Sequence, residues 1–346
     1  MLWEQNGDIV RVTGERASAS FHVPHDFNLS ETHIAVLTAV EFLAFAPHEH
    51  VPDCRAWRTP PERMKIGLAF SGGVDSCVAA MMLPEHDTSL VVHVRKGTEN
   101  DNVNVLPALS IPTHANRVAV YSDFEGVRNR YGFPVGCTSQ FGYLAPVVLL
   151  ADYLGLGCVA TGDVLEETYL GGGSGFRRYD LSHKYRETCD RLKQSGLLLS
   201  MPCGGLSEVV TQRIASLAEI GSAAHSCVRL RRDGDKWVPC GECYKCFRKG
   251  ALSGRPVPAS RETREMIVRR RALSSMAWAA QRCQEFDKGI RDFLMGHDVG
   301  FCERWYEKGG RLLAGPLANR VAEFLAMRGV ESMSENDVGA MASFLR

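Results

Sequence analysis

Two short stretches of this 346-residue chain hold residue types whose spacing suits chemistry. The first is Ala69-Phe70-Ser71-Gly72-Gly73-Val74-Asp75-Ser76. Adjacent glycines let a backbone approach an anion with no Cβ in the way. The hydroxyls of Ser71 and Ser76 can donate to phosphate oxygens, and Asp75 can bind the Mg²⁺ that a nucleotide carries. At the start of a helix, the loop amides and the helix dipole add partial positive charge. No Gly-Lys-Ser/Thr follows, so this is not the loop that holds a γ-phosphate through lysine. The plainer reading of two glycines is a tight strand-to-helix turn; both serines and the aspartate argue for an anion site.

The second stretch is Cys240-Gly241-Glu242-Cys243-Tyr244-Lys245-Cys246, with Cys227 upstream. Two-residue spacing turns paired thiolates toward one ion, and four thiolates form the closed shell of structural zinc. A redox disulfide, an iron–sulfur cluster and a catalytic thiol pair are the alternatives. Arg229, Arg231, Arg232, Lys236, Lys245 and Arg248 lie close in sequence and would offset the thiolate charge; His225 is a substitute ligand.

Other candidates have a bland reading beside the chemical one. Asp163, Glu166 and Glu167 follow an apolar run, where ligands bind in α/β sheets, and could hold Mg²⁺ with pyrophosphate or form a solvated acidic loop. Arg95 and Lys96 follow another such run and could neutralise pyrophosphate in a transition state or simply face water. Arg177 and Arg178 adjoin the glycine-rich segment Gly171 to Gly175, a mobile loop by composition, and could bring charge to a site as it closes. Cys137, Cys158, Cys189 and Cys203 are candidate sulfur carriers, although Cys77 and Cys158 sit in apolar stretches and read as small buried residues.

The elements that must position these groups divide the chain into four blocks. Residues 1–60 read as an N-terminal α+β extension: a hairpin across Asp8–Val23 turning at Gly14, then a helix capped by Ser30 with Ile34, Leu37, Val40 and Phe42 on its apolar face. Pro60-Pro61 ends that block. In residues 61–225, apolar runs at Ile66–Phe70, Ser89–Val94, Val118–Tyr121 and Cys158–Thr161 alternate with helical patterns at Asp75–Leu83, Ser139–Leu154 and Ser207–Ile220. That alternation predicts an α/β fold with a parallel sheet and helices on both faces. Pro146 should kink the second helix. Residues 226–250 form the knuckle, with Arg231–Lys236 as a hairpin turning at Asp233-Gly234. Residues 251–346 read as helical, with segments near 262–293, 298–308, 317–328 and 335–345.

Composition narrows the function classes. Forty basic and forty acidic residues give zero formal charge, which argues against a large basic face for nucleic acid. No run is apolar enough to span a membrane, and the first ten residues carry Glu4 and Asp8 without an apolar core, so no secretory signal is expected. Twelve cysteines then read as reduced cytoplasmic thiols, four of them metal ligands.

The first motif resembles the PP-loop of the N-type ATP pyrophosphatases, Ser-Gly-Gly-x-Asp-Ser, at Ser71, Gly72, Gly73, Asp75 and Ser76. That resemblance implies an adenine-nucleotide hydrolase-like fold, with ATP and Mg²⁺ held at Ser71, Gly72, Gly73, Val74, Asp75 and Ser76. With Ser226-Cys227 and Cys240, Gly241, Cys243 and Cys246 downstream, residues 60–250 are similar to the 7-cyano-7-deazaguanine synthase family. The resemblance implies adenylation of a carboxylate or carbonyl, release of pyrophosphate, and displacement of AMP by ammonia or an amine. Asp75, Ser71, Arg95 and Glu167 would then stand at the reaction centre, with Gly162 among the nucleotide-binding residues, Zn²⁺ in the knuckle, and a small carboxylate or deazapurine-like substrate. The sequence departs from the family at Val164 and Glu167, where the pattern has Asn and Asp, and it lacks the Tyr-Pro-Asp-Cys-Arg substrate motif. Three alternatives stand beside this reading: joining the activated group to a protein partner docked by the terminal extensions, PP-loop sulfur transfer to tRNA or a cofactor, and a nucleotide-sensing module. A homodimer is the expected self-association.

Overall fold

The computed structural model describes residues 1–45, 51, 56–96, 103–130, 141–171, 175–227, 229–254, 259–268, 273–282, 286 and 288–344. Cys54, Cys137, Cys283 and the centre of the glycine-rich loop, 172–174, lie outside them. The chain divides into two compact units, each assembled from segments that are not consecutive. One comprises Met1–Ser71, Pro84–Thr161 and Leu181–Ser200; the other comprises Gly72–Leu83, Gly162–Asp180 and Met201–Arg346.

The first unit holds an eight-stranded sheet. Its strands are β1 (Leu2–Asn6), β2 (Ile9–Thr13), β3 (Ser18–His22), β4 (Lys65–Ala69), β5 (Thr88–Arg95), β6 (Asn116–Ser122), β7 (Leu156–Ala160) and β8 (Leu198–Ser200). They lie in the order β1-β2-β3-β6-β5-β4-β7-β8. The five from β6 to β8 run parallel. The N-terminal strands form an antiparallel meander that joins the sheet where Phe21 faces Ser122. Sequence pattern explains the division. All of β7 is buried, the continuous apolar run of a parallel strand, whereas β2 and β3 alternate buried and exposed positions. Strand order reverses at β4, with β5 on one side and β7 on the other. In open α/β sheets the loop leaving such a strand is where ligands bind.

The same unit carries α1 (Ile34–Phe45), α3 (Phe124–Arg130), α4 (Ala145–Leu149), α5 (Ala151–Leu154) and α6 (His183–Gln194). Ser30 does not cap α1. Asn28 caps a short 3-10 turn, Leu29–Glu31, its side chain accepting from the Ser30 N–H, and α1 begins only at Ile34. The helix expected over 139–154 is broken into a 3-10 turn at Gly142–Leu144 and the short α4 and α5; residues 139 and 140 lie outside the described chain. Pro146 sits in the first turn of α4, where its missing N–H has no intrahelical acceptor to lose, so it opens a helix rather than kinking one. The sequence pattern gives no sign of α6 because only Tyr185, Thr188 and Leu192 of that polar helix are buried.

The second unit is helical: α2 (Val74–Met82), α7 (Glu208–Ser216), α8 (Glu219–Ser222), α9 (Tyr244–Leu252), α10 (Arg261–Val268), α11 (Leu273–Arg282), α12 (Lys288–Leu294), α13 (Leu317–Met327) and α14 (Glu335–Ser343). The hairpin β9 (Arg231–Asp233) and β10 (Lys236–Val238) turns at Gly234, whose φ of 58° suits the Asp-Gly signal. Residues 298–308 form 3-10 turns, Gly300–Glu303 and the start of Glu307–Leu312, rather than an α-helix. Arg320 of α13 donates to Met82 O at 3.0 Å and Leu83 O at 3.2 Å, satisfying carbonyls at the end of α2. No helix among the described residues is long and apolar enough to cross a membrane.

Candidate functional site

The loop motif begins at the end of β4. Phe70 N–H donates to Val91 O at 2.9 Å, and the exposed Ser71 closes the first unit. Gly72 opens the second with a φ of 69°, a left-handed conformation that favours glycine. Gly73 is the N-cap of α2 and has no side chain with which to cap it. A serine from elsewhere fills that role: Val74 N–H donates to Ser226 Oγ at 3.1 Å. The neighbouring His225 N–H donates to Gly72 O at 2.8 Å. Ser76 is buried, and its hydroxyl donates back to Gly73 O at 3.0 Å. Gly162 lies against this first turn, where a Cβ would fall 2.9 Å from both Ser76 Cα and Ser76 N. Glycine is therefore required by a close approach of backbones.

Asp75 is held by side chains of α7 and α9. Thr211 Oγ1 donates to its Oδ1 at 2.6 Å, and Lys249 Nζ lies 3.2 Å from Oδ1 and 3.4 Å from Oδ2. Burial opposes its charge, but Lys249, the Thr211 hydroxyl and Arg248 outweigh it and hold the carboxyl below the usual carboxylate range. Glu208, 2% exposed, receives Arg248 at 2.7 Å on Oε1 and faces Lys249 at 3.3 Å on Oε2. Glu166 accepts from the Glu208 N–H at 3.2 Å and from the hydroxyls of Ser274 and Ser275. Burial and the Glu208 carboxylate push Glu166 up to about 7. Burial, then Asp163, Asp75 and Glu208, push Glu167 well above the usual carboxylate range. The cluster thus gathers more acids than cations, and burial together with mutual repulsion opposes the charged forms of Glu166 and Glu167.

Sequence reasoning places Arg248 beside the thiolates; in the structure its guanidinium serves Glu208 instead. Lys249, Glu208 and Thr211 are missed altogether, since no motif spacing links groups as far apart as Asp75 and Lys249, 174 residues. The one visible hint is helical periodicity after Cys246, which puts Lys249 near the face of α9 that carries that cysteine. Arg177 is tied down: it donates to Thr168 O at 2.8 Å and Glu167 O at 3.0 Å. Arg178 pairs with Asp180 at 2.9 Å, and Arg311 reaches the same carboxylate at 3.3 Å. Arg95 belongs to the first unit, where it pairs with Glu125 at 3.2 Å, and Lys96 lies over the Tyr121 ring at 4.7 Å.

The four cysteines converge. The sulfurs of Cys227, Cys240, Cys243 and Cys246 lie within 4.8 Å of one another. The Cys227–Cys240, Cys227–Cys243 and Cys240–Cys246 separations are 3.5, 3.8 and 3.9 Å. Sulfurs about 2.3 Å from a tetrahedral zinc would be roughly 3.8 Å apart, so the set could bind zinc. Backbone N–H groups of Arg229 and Cys240 donate to Cys227 Sγ, and that of Cys243 donates to Cys240 Sγ. Burial opposes ionisation of Cys240, yet the N–H groups of Glu242 and Cys243 prevail and bring its thiol down to about 7. His225 is not part of the convergent set. The other described thiols are shielded: burial pushes Cys77 up to about 12 and Cys158 to about 11, and raises Cys189, Cys203 and Cys302.

Residues 188–345 match the model of a family of unknown function (DUF6395). No curated protein matches the chain.

Proposed function

We propose that the protein is an ATP-dependent PP-loop ligase or synthase. It adenylates a carboxylate or carbonyl, releases pyrophosphate, and completes the reaction when ammonia or an amine displaces AMP, as its resemblance to 7-cyano-7-deazaguanine synthases implies. One observation carries the reading. The segment Gly72–Ser76 is a glycine turn entering the N-terminus of α2, with Asp75 in the first turn and Gly162 packed on it. The reversal of strand order at β4 supports it, and favours an adenine-nucleotide hydrolase-like fold.

In this reading the glycine turn and the N-terminus of α2 hold the phosphates, and Asp75 with Lys249 fixes the loop. Asp163 and Glu167 supply hard oxygen donors suited to Mg²⁺. Magnesium, when bound, offsets the charge of the departing pyrophosphate. Zinc in the four-cysteine knuckle is structural, since all four positions are thiols and none is left for substrate. The chain then contributes positioning and charge stabilisation. Burial opposes ionisation of Cys77, Cys158, Cys189, Cys203 and Cys302, so none of these five suits a sulfur carrier, which needs an accessible thiolate.

The test is mass spectrometry of a reaction with ATP and 7-carboxy-7-deazaguanine, with and without ammonia. AMP, pyrophosphate and a mass change on the deazaguanine are expected, and Asp75→Ala and Ser71→Ala should lose them. A mass increase on a protein partner would move the acceptor from small molecule to protein. Absence of both AMP and pyrophosphate with either acceptor overturns the reading.

A further inference from the structure

We propose that Lys249 is a positioning residue for the phosphate loop, and that the four-cysteine knuckle sets the loop through it. The catalytic consequence rests on the adenylating reading; the link between knuckle and loop stands on geometry alone.

The knuckle reaches the loop from both ends of its own sequence. Just before its first cysteine, Ser226 Oγ accepts the Val74 N–H at 3.1 Å and the His225 N–H donates to Gly72 O at 2.8 Å. Just after its last cysteine, Lys249 places its ammonium 3.2 Å from Asp75 Oδ1. Cys243 is the N-cap of α9, and Cys246 lies in the first turn of that helix. Residues three apart on a helix occupy neighbouring surface, so the face of α9 that carries a ligand sulfur also carries the cation. Arg248 and Lys249 share the buried carboxylate of Glu208, and Thr211, one turn along α7, donates to the same Asp75 oxygen as Lys249. A single polar chain therefore joins α2, α7 and α9.

This arrangement gives the metal a function beyond holding its own loop. Four thiols held by one ion fix the start of α9, and with it the register of Lys249. Lys249 in turn offsets the negative charge of Asp75 in the first turn of α2, where a phosphate would approach. Without that ammonium, the Asp75 carboxylate would repel the anion that the glycine turn is shaped to accept.

The experiment uses the full-length, zinc-loaded chain and two readouts: hydrogen exchange of the amides in 72–78, and affinity for Mg-ATP by calorimetry. Lys249→Met should keep about one zinc per chain, while loop exchange rises and Mg-ATP affinity falls, each by about tenfold or more. Lys249→Arg should recover part of both effects. Removing the metal from the wild type with a chelator should raise exchange in the same amides. If the wild type binds no Mg-ATP, the nucleotide reading falls and the exchange readout still decides the coupling. Loop exchange unchanged in Lys249→Met overturns the proposal. If that variant does not fold, unchanged loop exchange in the chelated wild type overturns it equally.

Discussion

The ammonium of Lys249 and the carboxylate of Asp75, 174 residues apart in the chain, meet at 3.2 Å in a part-buried pair backed by the buried Glu208 and Thr211 and by Arg248. In such a setting the pair is worth less than the cost of breaking it. Removing one partner leaves the other charged, desolvated and uncompensated.

Glu208 is where that cost should be largest, because it serves Arg248 and Lys249 together. Glu208→Gln is expected to destabilise the protein by about 3–5 kcal/mol in urea unfolding. Glu265→Gln is the matched control: its partner Arg261 is 94% exposed on the same helix, and the loss should be under about 0.5 kcal/mol. Equal losses for the two variants would show that the buried cluster is relaxed by water.

Gly162→Ala tests the contact between the segment after β7 and the first turn of α2. The new Cβ would lie 2.9 Å from backbone atoms of Ser76, which cannot rotate away as a side chain can. A loss of about 1–3 kcal/mol is expected. Gly310→Ala, where a Cβ meets nothing within 4 Å, should be close to neutral. A neutral Gly162→Ala would mean that this segment has room to shift.

Much of this architecture was legible in the sequence, for identifiable reasons. β4, β5, β6 and β7 announce themselves through short apolar runs, continuous in β7 because that strand is buried throughout, and the knuckle because thiol spacing is itself the geometry of the site. α6 was hidden because three buried residues on a polar helix make too thin a stripe. Glu208 and Lys249 of the polar cluster were hidden for a different reason. Glu208 lies in the first turn of α7 and Lys249 in the last turn of α9, where an acid and a base are the ordinary choices for the helix dipole. Nothing local distinguishes a dipole partner on the surface from a buried counter-ion. Only packing, which brings α2, α7 and α9 together, does so.

The knuckle yields a direct measurement. Elemental analysis of purified, reduced protein should find about one zinc per chain, and Cys243→Ser should lower that content and the cooperativity of unfolding together. Iron in place of zinc, or a metal-free protein that unfolds as sharply as before, would refute the structural zinc site. Cys189→Ser changes a thiol outside the convergent set and should alter neither readout.

Glu166 makes stability depend on pH in a direction opposite to that of a salt-bridged acid. Its folded-state pKa is pushed up from 4.5 to about 7 by burial and by the Glu208 carboxylate. Between those values the folded protein holds a proton that the unfolded chain has released, so stability falls as pH rises through that window. At one pKa unit per about 1.4 kcal/mol, the full loss is on the order of 3 kcal/mol and is complete above the folded-state value. Asp75 works the other way: its lowered pKa adds stability above the unfolded value, which is lost on acidification. The two effects are separated by comparing wild type with Glu166→Gln, whose amide cannot titrate. Their difference in unfolding free energy should change by that amount between about pH 5 and about pH 8, with the variant gaining on the wild type as pH rises. A constant difference across the range would mean that Glu166 ionises in the folded protein as readily as in the unfolded chain. The hydroxyls of Ser274 and Ser275 would then be satisfying a carboxylate rather than a carboxylic acid.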